Sequence, residues 1–115
     1  MIELIVYNYL KSMFTTSSET VPVYMEVPEE MPGTFIVIEK TGSGVDNKIG
    51  SATIAVQSYA PTLYDAALLN ERVKAFLDVM TDTEPVFRCK LNSDYNYTDT
   101  QTKRYRYQAV FDLTY

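Results

Sequence analysis

The chain has 115 residues, 46% of them hydrophobic, and its 15 acidic against 10 basic side chains give a formal net charge of −5. That length and composition predict one domain, residues 1–115, with a single core, and exclude wholesale disorder. The acidic balance argues against tight non-specific grip on nucleic acid, which needs a basic face, but leaves room for a protein that encloses DNA without holding it.

In chain order, Ile2, Ile5, Val6, Tyr9, Leu10 and Met13 fall at helical spacing and predict a first amphipathic helix over residues 2–13. Residues 14–20 (FTTSSET) read as a polar connector. Residues 21–27 read as a short strand, placed at a sheet edge because Pro22 and Pro28 cannot donate to a ladder. Residues 29–33 (EEMPG) read as a loop. Thr34 to Thr41 is rich in β-branched and aromatic residues and predicts a strand with Phe35, Val37 and Glu39 on one side and Ile36 and Ile38 on the other. Apolarity on both sides places it centrally. Gly42 to Lys48 (GSGVDNK) reads as a flexible turn, and Ile49 to Tyr59 as the strand returning from it in an antiparallel hairpin.

Pro61 ends that strand, and Thr62 is the expected N-cap of a second helix with Asp65 three residues on. Ala66, Leu69, Val73, Phe76, Leu77 and Met80 form its inner stripe. Asp65, Asn70, Glu71, Lys74 and Asp78 are assigned to its outer face. Pro85 closes the turn that follows. Val86 to Leu91 predicts a strand with Phe87, Cys89 and Leu91 inward and Arg88 and Lys90 outward. Asn92 to Lys103 is polar and turn-rich. In the last stretch, Arg104 to Tyr115, Tyr105, Tyr107, Ala109, Phe111, Leu113 and Tyr115 share one face. Arg104, Arg106, Gln108, Asp112 and Thr114 share the other, as in a half-buried antiparallel strand. The order α-β-β-β-α-β-β predicts an α+β fold: a two-layer sandwich of a mainly antiparallel sheet with two helices packed on one face.

Residue types narrow the chemistry. There is no histidine, which removes the common metal sites and Ser-His or Cys-His catalysis. Cys89 is the only cysteine, so no intrachain disulfide is expected, a reducing compartment fits best, and the thiol reads as a small core residue. The apolar run Ile2 to Val6 contains Glu3, is too short to span a membrane and follows no basic segment, so a cytosolic chain without a membrane partner is expected. Gly42-Ser43-Gly44 lacks the full phosphate-binding fingerprint and leads into a strand rather than a helix. Asp46, Asp94 and Asp99 match no calcium-loop spacing, and Asn96-Tyr97-Thr98 fits a glycosylation sequon that has no consequence in a cytosolic chain. No catalytic residue, cofactor or metal is expected. Tyr95 and Tyr97 lie among Lys103, Arg104 and Arg106, a mixture that can stack single-stranded bases or form a protein interface. The acidic net charge favours the interface. The candidate contact residues are therefore Gly42, Ser43, Gly44, Val45, Asp46, Asn47 and Lys48 at the hairpin tip, and Tyr95, Tyr97, Lys103, Arg104 and Arg106.

The runs FIVIEKTGSG, SATIAVQSYA and LYDAALLNERVKAFL carry a resemblance. In them, and most specifically between Pro28 and Leu77, the chain resembles the small tail-terminator proteins of long-tailed bacteriophages, also described as tail-completion, minor capsid or head–tail joining proteins. The resemblance covers the whole chain in element order. It implies a non-enzymatic ring, usually of six copies, on the head-proximal end of the tail tube. Such a ring stops tube polymerisation and docks to the head connector, with genomic DNA passing through its opening. The implied place is the virion, at the head–tail interface, after assembly in the bacterial cytoplasm. Six copies at −5 each carry about −30, which repels DNA from a lumen. The alternatives are another head–tail adaptor, a head-completion protein or the tube subunit itself, or a small α+β ligand-binding domain or enzyme, which would need a deep pocket with convergent polar groups.

Overall fold

A computed structural model describes residues 1–16, 20–30, 33–46, 49–82, 86, 88–101 and 104–115. The expectations for Met31, Pro32, Asn47, Lys48, Pro85, Phe87 and Lys103 lie outside the described residues.

Helix α1 (Ile2–Thr16) runs a turn beyond its expected end. Its buried stripe is Ile2, Val6, Tyr9, Leu10 and Phe14, with Ile5 and Met13 flanking it. Phe14, assigned from sequence to the connector, is fully buried and anchors that last turn. Its ring meets Phe76 edge-on at 4.9 Å, and the hydroxyl of Tyr9 donates to the Phe76 carbonyl oxygen. The two helices are thus joined at their C-terminal halves.

The sheet has five strands: β1 (Val23–Tyr24), β2 (Phe35–Asp46), β3 (Ile49–Ala60), β4 (Arg88–Asn96) and β5 (Tyr105–Thr114). Their spatial order is β1-β2-β3-β5-β4, antiparallel throughout except for the parallel β1–β2 pair. The first strand is two residues long rather than seven, and it does lie at an edge. One register row, Val23–Ile36–Ser58–Tyr107–Asn96, crosses all five strands.

Helix α2 (Leu63–Asp78) starts as expected: the Thr62 side chain accepts a hydrogen bond from the Asp65 N–H at 3.1 Å, with Thr62 in extended backbone. Ala66, Leu69, Val73 and Leu77 are buried, and Met80 joins them from a single 3-10 turn, Met80–Asp82. Both helices pack on the sheet face carrying Ile36, Ile38, Ile54, Val56, Ala109, Phe111 and Leu113. The opposite face has a smaller cluster of Phe35, Val37 and Tyr59, backed by Tyr24. The two-layer α+β arrangement thus matches the sequence expectation.

Three assignments need correction. Gly42 to Asp46 is not a turn but the distal half of β2, paired through to Asp46 opposite Ile49. The polar, glycine-containing run joins the ladder because β3 supplies partners and a register shift between Lys40 and Gly42 absorbs one residue. Asn92 to Asn96 likewise belongs to β4; a shift between Leu91 and Ser93 breaks the alternation that would have revealed it. Leu91, expected inward, is 37% exposed, and Cys89 is only partly buried, because β4 is the edge strand and an open cleft separates these two residues from α2. Gly50 has a steric reason: a Cβ there would sit 2.5 Å from the Tyr115 ring, while the two residues exchange backbone hydrogen bonds of 2.9 Å.

Candidate functional site

The helix-free face carries a connected belt of aromatic and amide groups. Phe35 and Tyr59 stack at 4.3 Å, with their planes 8° apart. The Tyr59 hydroxyl accepts from Arg106 Nη1 at 2.8 Å and donates to Gln57 Oε1 at 3.4 Å. Gln57 Nε2 donates to Gln108 Oε1 at 2.9 Å, and Gln108 Nε2 donates to the Tyr95 hydroxyl. Arg106 Nε donates to the Tyr97 carbonyl at 2.6 Å, its guanidinium lies 4.4 Å from the Tyr97 ring centroid, and Tyr97 meets Tyr95 edge-on at 5.9 Å. Antiparallel pairing explains the belt: Arg106 stands opposite Tyr59, Gln57 opposite Gln108, and Gln108 opposite Tyr95. A guanidinium held between rings by neutral acceptors keeps its charge available to an outside carboxylate.

The candidate contact residues therefore divide into two groups. Tyr95, Tyr97 and Arg106 come together on the belt, and exposed Arg104 stands beside them, bridged through the backbone to Asp99. Gly42, Ser43, Gly44, Val45 and Asp46 lie at the far end of the same sheet. Gly42 pairs with Thr53 of β3, about 20 Å along that strand from Tyr59. An open groove of about 410 Å³ beside the hairpin is lined by Gly42, Ser43, Gly44 and residues of β3 and β5. Val45 is 79% exposed and Ile49 47%, so the hairpin end shows apolar side chains to solvent.

Sequence reasoning missed one polar constellation under α2. Asn70, assigned to the outer face, is 1% exposed. Its Nδ2 donates to Asp94 Oδ2 at 3.0 Å, while its Oδ1 is buried without a partner among the described residues. Lys74 Nζ reaches the same Asp94 oxygen at 3.1 Å and Glu71 Oε1 at 2.9 Å. Those hydrogen bonds hold the Lys74 ammonium above its ordinary pKa. The missed signal is Asp94: once β4 extends to Asn96, its carboxylate faces the helix that carries Asn70. At the helix N-terminus of α1, the backbone and the Lys40 ammonium, 3.2 Å away, hold the Glu3 carboxyl below its usual range.

An open cleft of about 310 Å³ adjoins this network, lined by Glu71, Lys74, Ala75, Asp78, Cys89, Leu91 and Phe111. Burial, with Asp78 contributing, pushes the Cys89 thiol up to about 11. The thiolate is the nucleophile, so this thiol is unreactive near neutrality. Folded protein at pH 8 is expected to react with a disulfide reagent about two orders of magnitude more slowly than unfolded protein. Equal rates, followed by thionitrobenzoate release, would show an exposed, ordinary thiol. Among the described residues no group of three or more His, Cys, Asp or Glu side chains could hold a metal ion. No described helix is long and apolar enough to cross a membrane. No family model matches this sequence, and no curated protein matches it significantly.

Proposed function

We propose that the protein is a structural virion-assembly component. Copies form a ring, of six by the resemblance, on the head-proximal end of a phage tail tube. The ring ends tube polymerisation and docks to the head connector, and DNA passes through it without specific binding. The reading rests on the likeness of residues 28–77 to tail terminators. The observation that carries it is the end of the β2–β3 hairpin, which exposes Val45 and Ile49. Exposed apolar residues at the end of a hairpin are suited to a neighbouring subunit or the end of a tube. A charge of −5 per copy suits a conduit that DNA must slide through.

Electron microscopy of particles made without the protein tests this. Overlong, headless tubes are expected. Tails of normal length beside unjoined heads would assign it to the head side as an adaptor or completion protein, and absence of tubes would make it the tube subunit.

A further inference from the structure

We infer that copies of this chain associate head to tail through two opposite edges of the sheet, an acidic, apolar-floored groove on one copy receiving the Tyr95–Tyr97–Arg106 corner of the next. The inference deepens the ring reading and rests on it in one respect, that copies associate.

The first surface lies at the β1 edge. A groove of about 900 Å³ opens between α1 and the segment following β1, and Tyr7, Tyr24, Met25 and Val27 give it an apolar floor. Met25 is 39% exposed and Val27 46%. Glu26 and Glu29 line it, and Glu30 follows; all three are exposed. Lys11, whose ammonium lies 5.6 Å from the Tyr7 ring centroid, offsets part of that charge. The second surface lies at the opposite edge, beside β4. There Tyr95 and Tyr97 are 41% and 42% exposed, next to Arg106 and exposed Arg104.

Register links the two. The row from Val23 to Asn96 crosses all five strands, so residues next to its ends, Tyr24 and Tyr95, sit level with each other about 19 Å apart, on opposite edges. Copies set side by side in one direction bring one copy's acidic edge against the next copy's basic edge. Among the described residues Arg104, Arg106, Glu26, Glu29 and Glu30 form no ion pair within the chain. Three glutamates against Lys11 leave the first surface acidic, and two arginines against Asp99 leave the second basic, so each carries a sign that the other answers. Tyrosine and arginine over an apolar floor are also the side chains that dominate interface energetics. Two different patches related by a rotation give a heterologous contact, the kind that closes into a ring.

Sedimentation velocity of the intact protein tests this at exposed side chains. Wild type is expected to sediment as one discrete oligomer. Glu26→Lys with Glu29→Lys, and separately Arg104→Glu, should each weaken association roughly tenfold or more, since like charges then face each other. The chain carrying all three changes should associate more tightly than either variant, because the introduced carboxylate then faces the two introduced ammonium groups. Variants that keep the wild-type oligomer would overturn the assigned surfaces and leave the ring reading intact. A wild-type chain that stays monomeric at every concentration would overturn both.

Discussion

Phe14→Ala is expected to lower stability by about 4 kcal/mol, the range for an aromatic residue removed from a closed core. The side chain is fully buried, its ring stands edge-on to Phe76, and the Arg72 guanidinium lies 4.7 Å from its centroid. The ring bridges the last turn of α1 to α2, so its removal leaves a cavity between the two helices. For a domain whose whole margin is about 5–15 kcal/mol, thermal unfolding followed by circular dichroism should fall by about 15 °C. A drop of only a degree or two would mean that α1 ends before Phe14, as its polar neighbours in the sequence imply.

The second large effect concerns assembly. Val45→Asp combined with Ile49→Asp should leave the unfolding midpoint nearly unchanged, since both side chains are exposed and surface changes cost about 0.5 kcal/mol or less. The same protein should bind tail tubes about 30-fold more weakly, the factor for roughly 2 kcal/mol of lost apolar contact. Pelleting with purified tubes measures it. Unchanged binding by a correctly folded variant would remove the hairpin end from the docking surface.

Much of the architecture was legible in the sequence where period and punctuation agreed. Thr62 as N-cap, the stripe Ala66–Leu69–Val73–Leu77 and the alternation Ala109–Phe111–Leu113 needed no tertiary information. The failures share a cause: polar residues recruited by partners distant in sequence. Asn92 reads as loop, yet its Nδ2 donates to Asp112 Oδ2 at 2.9 Å, and Asp112 also accepts from Thr53 Oγ1 at 3.0 Å. Asn70 reads as surface until Asp94 is seen to face it. Gly42 to Val45 reads as turn because glycine and serine favour turns, whereas a long strand alongside pins them. The candidate site was half legible. Tyr95, Tyr97 and Arg106 do meet, but the tyrosine, glutamine and phenylalanine that complete their belt come from β2 and β3, far along the chain. Nothing in the sequence pointed to the groove around Met25 and Val27, since a groove is a relation between α1 and β1 rather than a property of either.

The brevity of β1 has a further consequence. Among the described residues it pairs with the outer edge of β2 at Ile36 and Val37. Beyond them an open strand border would ordinarily template fibril growth. Here that border kinks at Thr41 and continues through two glycines and a serine, residues that pack poorly into stacked zippers. At this border the sheet can thus meet a neighbour through side chains without recruiting its backbone.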